Sequence, residues 1–154
     1  MTLYVFALLI GVIAGLRAMT APAAVAWGAR LGWIPLAGYP LAWLGGWIPV
    51  IALSALAVLE LFGDQHPKTP SRKVPPQFIT RVLTGAFSGA VLMMPASHWL
   101  RGAVIGAVGA VLGTLGGAEA RARLAAKFGK DRPAALIEDA VAVFGALAIC
   151  AVAL

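Results

Sequence analysis

Five apolar stretches, at about residues 3–24, 41–62, 78–96, 101–117 and 134–154, leave this chain few ways to fold. Runs of this length and polarity suit helices that cross a bilayer, because a helix satisfies its own backbone donors and acceptors where no water is present. Only 12% of the 154 residues are charged, against about 25% in an ordinary soluble domain. The stretches leave no room for a separate soluble unit. The sequence therefore predicts one all-α domain over residues 1–154, a polytopic transmembrane helix bundle of about five spans with the lipid bilayer as its solvent. Met1–Leu16 is apolar like a signal peptide but has no basic segment before it, so it reads as a retained helix.

Polar residues inside the apolar stretches are the candidate site. Arg17 interrupts the first run, Thr20 follows at helical spacing, and Pro22 removes a backbone donor. The first helix is thus expected to break near Thr20–Pro22. Glu60 closes the second run and Asp64 follows at i+4, ahead of a loop with Pro67, Pro70, Pro75 and Pro76. Arg81 lies one turn inside the third run, with Thr84, Gly85 and Ser88 on the same side. The fifth run carries Glu138 and Asp139 soon after Pro133. An ionisable residue at membrane depth is a candidate functional group because leaving it unpaired there is costly. Gly102, Gly106, Gly109, Gly113 and Gly117 recur every three or four residues and predict tight helix packing, within the chain, in a homo-oligomer or in a larger membrane complex. The single cysteine, Cys150, excludes an internal disulfide and a cysteine-based metal site; no metal and no cofactor is expected.

Five alternating spans would place the 63–77 and 118–133 loops on the side of the N-terminus. These loops hold Lys68, Arg72, Lys73, Arg121, Arg123, Lys127, Lys130 and Arg132, eight cations against Arg30 and Arg101 opposite. Cytoplasmic loops collect Lys and Arg, so the expectation is a multi-pass protein of the inner membrane with a cytoplasmic N-terminus. The net charge of +6 follows from that topology and does not call for nucleic acid. Trp27, Trp33, Trp43, Trp47 and Trp99 would all fall at the opposite interface. Glu60, Asp64, Arg81, Glu138 and Asp139 would then share one depth, with Arg81 paired to Glu60 or Glu138, and Arg17 and Thr20 lying deeper.

The motifs Gly15-Leu16-Arg17, Glu60-x-x-x-Asp64-x-x-Pro67, Arg81-x-x-x-Gly85 and Glu138-Asp139 resemble a bacterial membrane family catalogued as domain of unknown function 4126. This chain has Gln65 where members carry Lys, and Lys68-Thr69-Pro70-Ser71-Arg72 where members carry an acidic stretch. The resemblance implies an integral membrane protein and supplies no activity.

Three functions compete on this reading. The first is a transporter or channel-like conduit for a small solute or ion, running from the carboxylates toward Arg17. The second is a structural or accessory subunit that docks through its glycine-rich helix. The third is an enzyme acting on a lipid or isoprenoid phosphate, with carboxylates holding a magnesium ion and Arg72, Lys73 and Arg81 as phosphate ligands; no nucleophile, metal cluster or phosphate loop supports catalysis, and the reading leans against an enzyme without deciding it.

Overall fold

A computed structural model describes residues 1–64 and 71–153; the readings that rest on Gln65, Pro67, Lys68, Thr69 and Pro70 lie outside the described residues. Six α-helices and one short 3-10 turn, with no strand, make up the regular structure of those residues. Helix α1 (Thr2–Leu16) stops because Arg17 is extended, at φ −140° and ψ 111°. Helix α2 (Thr20–Arg30) begins three residues later. The 3-10 turn (Ala42–Gly45) leads into α3 (Trp47–Gly63). Pro75 and Pro76 open α4 (Pro75–Met93), where a missing N–H has no helical acceptor to lose, and Val74 before them is extended as a pre-proline residue should be. Helix α5 (Trp99–Phe128) joins the fourth apolar run and the basic 118–128 segment into 30 continuous residues. It ends at Gly129, whose φ of 68° is the left-handed cap that glycine adopts without a Cβ clash. Helix α6 (Asp131–Val152) completes the chain.

Neighbouring residues fix the helix directions. Gly102 of α5 meets Gly89 of α4, and Gly106 meets Gly85, so these two run antiparallel. Gly109 meets Leu8, Gly113 meets Val12 and Gly117 meets Leu16, so α1 runs parallel to α5. Arg17 reaches Asp139 while Ile13 touches Gly145, which sets α6 antiparallel to α1. Gly28 faces Cys150, so α2 runs along α6 and therefore back against α1. The break is thus a reversal at Arg17-Ala18-Met19, ahead of the expected Thr20–Pro22. Pro22 sits within the first turn of α2, where its ring is tolerated.

This reversal corrects the topology drawn from five alternating runs. The N-terminal end of α1 lies beside the start of α5, with Tyr4 stacked on His98 and Arg101 donating to the Tyr4 hydroxyl. The α3–α4 and α5–α6 connections lie at the other end. The tryptophans do gather away from those connections: Trp27 meets Trp47 edge-on, and Arg30 covers Trp47 at 4.2 Å.

Two helices, α5 and α6, are long and apolar enough to cross a membrane; α1 and α3 are apolar but shorter, so five spans are not confirmed. The surface of α5 is inverted relative to a soluble helix. Gly102, Gly106, Gly109, Gly113 and Gly117 face inward, while Val104, Val108, Leu112 and Leu115 are exposed. Exposed Phe144 and Val141 on α6, and Ile48, Ile51 and Leu59 on α3, continue this apolar exterior.

Candidate functional site

A chain that reverses within three residues leaves the last carbonyls of one helix and the first amides of the next without helical partners. Both sets are satisfied by side chains from distant helices. Arg81 of α4 donates through Nη1 to the carbonyls of Gly15 (3.0 Å) and Leu16 (2.7 Å). Glu60 of α3 accepts the Ala18 amide at 2.7 Å and the Met19 amide at 2.8 Å. The signs suit the helix ends, since a cation favours the C-terminus of α1 and an anion the N-terminus of α2. Arg81 Nη2 also lies 3.7 Å from Glu60 and 3.4 Å from Asp64, so the expected Arg81–Glu60 pair is present.

Arg17 sits at the turn itself, with no exposed surface. Its Nε donates to Asp139 Oδ1 at 2.6 Å, and its Nη1 donates to Asp64. Five groups from the turn, α3, its C-cap, α4 and α6 thus form one buried network: Arg17, Glu60, Asp64, Arg81 and Asp139. A second set adjoins it. Arg72 donates to Glu138 through Nη2 at 2.9 Å, and Arg121 lies 3.5 Å from Glu138. Arg121 also grips Asp131 through two donors at 2.9 and 2.6 Å and reaches the Asp64 carbonyl at 3.5 Å. Asp131 precedes the apolar run of α6, and the hydrogen bond from Arg121 holds its carboxyl below the usual value.

The model of a family described as domain of unknown function (DUF4126) matches residues 5–154. The chain belongs to that family. No curated protein and no solved structure matches it.

In this DUF4126 chain the sequence-expected polar residues separate. Arg17, Glu60, Asp64, Arg81 and Asp139 converge, and Glu138 stands in the adjoining set. Arg17 does not lie deeper than the carboxylates, as it was expected to; it bonds to two of them. That depth argument failed because it assumed one helix continuing past residue 17. Thr20 is not in the network, and its hydroxyl has no partner among the described residues. Thr84 and Ser88 donate to carbonyls of their own helix, Arg81 at 3.1 Å and Thr84 at 2.8 Å, so this polar stripe is closed on itself.

Arg72 and Arg121 were counted from the sequence as loop cations and missed as partners of Glu138. A signal for Arg121 was present. It continues the i, i+4 series Gly109, Gly113, Gly117, which is the inward face of α5. The five expected packing glycines are buried within the chain: a Cβ at Gly102 or Gly106 would collide with the α4 backbone, at Gly109 or Gly113 with the α1 backbone, and at Gly117 with Leu16. Their face is already covered by α1 and α4.

Proposed function

We propose that this DUF4126 chain is a multi-pass protein of the bacterial cytoplasmic membrane, and that its charged network is a structural clamp on the α1–α2 reversal. Its role is then one of scaffolding or binding within the membrane. The single observation that supports this is the state of the two central guanidiniums. Arg17 and Arg81 are 0% and 1% exposed, and they bind helix-end carbonyls and carboxylates. Backbone that is irregular at membrane depth needs such internal partners, whatever else the protein does. The basic residues Arg72, Lys73, Arg121, Arg123, Lys127, Lys130 and Arg132 gather at the clamp end, which supports a cytoplasmic clamp end and an N-terminus on the opposite side. Labelling of single cysteines should find Ser71→Cys accessible only from the cytoplasm and Ala37→Cys, at an exposed loop position, only from outside.

One observation favours the conduit as a second reading. Three carboxylates, Glu60, Asp64 and Asp139, meet beside Arg17 and Arg81, a concentration of acids of the kind that takes up a proton or a passing cation. Purified protein in liposomes separates the two. The clamp gives no proton or cation flux above protein-free liposomes, and Arg17→Ala and Glu60→Gln lower thermal stability. Flux in the wild-type protein that Glu60→Gln abolishes at unchanged stability would establish the conduit instead.

A further inference from the structure

Helix α5 has 30 residues, about 45 Å of helix against a hydrocarbon core of about 30 Å. Its basic last turns therefore stand clear of the core, and at Gly129 the chain folds back into α6 beside them. This corner joins two kinds of surface. Lys127, Lys130 and Arg132 fall in one short stretch around the turn, and all three are exposed. The carboxylates near them are already engaged: Glu119 by Arg123, Asp131 by Arg121 and Glu138 by Arg72. None of the three cations has an ion-pair partner among the described residues. An apolar stripe of α6 begins just below. Arg132 stands about 6 Å along the helix ahead of Leu136, and Leu136, Val141 and Phe144 are all exposed. From Leu136 to Phe144 the rise is about 12 Å, which fits within one leaflet, about half of the hydrocarbon thickness.

We infer that this corner binds an anionic phospholipid of the leaflet at the clamp end, its phosphate on Lys127, Lys130 and Arg132 and its acyl chains on the α6 stripe. Charge complementarity sets the head. Three like charges crowd the corner without a counter-ion, at the depth where anionic headgroups attract Lys and Arg. The stripe sets the lipid as the source of the phosphate. A head held at Arg132 lays its chains on Leu136, Val141 and Phe144, whereas a free anion gains nothing from that surface. The other cations of this end are spent inside the protein: Arg17 and Arg81 on the reversal, Arg72 and Arg121 on Glu138 and Asp131. The inference rests on the membrane reading above and is independent of whether the network clamps or conducts.

The test is native mass spectrometry of the purified wild-type protein, offered phosphatidylglycerol and phosphatidylcholine with the same acyl chains. One retained phosphatidylglycerol per chain is expected, preferred roughly tenfold or more. A Lys or Arg near an anionic surface is worth about fivefold in affinity, so Arg132→Gln should lower the preference about fivefold. Replacing Lys127, Lys130 and Arg132 together by Gln should abolish it. The three side chains are exposed, and helical circular dichroism in detergent should show that the triple variant folds as wild type. Arg123→Gln lowers the net charge as much as Arg132→Gln does, but removes a cation paired with Glu119, and should leave the preference unchanged. Equal retention by wild type and triple variant, or equal loss in Arg123→Gln and Arg132→Gln, would make the binding a matter of overall charge and overturn the inference. Displacement by inorganic phosphate, beyond what chloride of the same ionic strength displaces, would make the corner a free-anion site and overturn it too. Each of these leaves the membrane reading standing. Wild-type protein that purifies without detergent would overturn that reading and the inference together.

Discussion

The seam formed by α1, α4 and α5 and the half formed by α2, α3 and α6 are built from similarly apolar residues, yet they are held by different forces. In the seam, glycine faces glycine or bare backbone: Gly102 on Gly89, Gly106 on Gly85 and Gly11, Gly113 on Val12. In the other half, α3 buries only Val50 and Ala57 and is tied by polar contacts. Glu60 holds the amides of Ala18 and Met19, Ser54 accepts from Trp27, and Arg30 lies over Trp47. The difference teaches what apolar helices need in order to associate where the surroundings are equally apolar. They need either backbone approach close enough for dense van der Waals contact, or polar groups with nowhere else to bond.

The largest test breaks the seam. Gly106→Leu puts a branched side chain against the α4 backbone at Gly85 and Gly89, while the Gly106 carbonyl is packed against Gly11 of α1. No small shift relieves a collision with helix backbone, so the variant should yield little folded protein, read by size-exclusion profile and helical circular dichroism in detergent. Gly116→Leu, on the same helix but with open space around it, should fold as wild type. If both behave alike, the seam is not what holds α5.

The next test breaks the polar ties at the reversal. Arg17→Leu removes the guanidinium shared by Asp64 and Asp139; breaking a buried pair costs about 3–5 kcal/mol, and because Asp64 keeps Arg81 at 3.4 Å the lower end of that range is expected. Glu60→Gln keeps an acceptor but loses the charge on the amides of α2, and should cost about 1–2 kcal/mol by the difference between charged and neutral hydrogen bonds. Thermal unfolding in detergent measures both. An order reversed between the two would mean that the helix ends, not the ion pairs, dominate the reversal.

A smaller effect sharpens the comparison away from the charges. Ser54→Ala removes the acceptor of the Trp27 indole and should cost about 0.5–1.5 kcal/mol, with a change in Trp27 emission. The smallest is at the bundle end. Asp131 is held below its usual pKa chiefly by the Arg121 hydrogen bond, so its contribution is present above the unfolded carboxyl value and is lost as pH falls through the folded one. The side chain is 60% exposed, so Asp131→Asn should change stability by no more than about 1 kcal/mol and flatten the acid limb of the pH–stability curve only slightly.

The sequence by itself determined that the chain is helical and apolar, that the tryptophans stand apart from the basic loops, and that Arg81 pairs with a carboxylate, Glu60 or Glu138, of which the structure shows Glu60. Periodicity, composition and the cost of unpaired charge carry that information locally. It determined the glycine seam as well, because small residues at every turn have few other uses on an apolar helix. Only the tertiary structure decided that the chain reverses at Arg17. Pro22 announces a break, but Gly15-Leu16-Arg17-Ala18-Met19-Thr20 has no proline and only one glycine, so nothing local dictates that the chain turns back on itself there. The turn exists because Arg81 and Glu60, brought from at least 65 and 41 residues away, supply respectively the donors and acceptors that helix continuation would otherwise have supplied. That one reversal moved Arg17 from a deep position to the carboxylates and put the N-terminus at the tryptophan end. It also turned α2 back toward α3 and α6. Long-range partners that satisfy a broken backbone leave no period or spacing in the segment they break.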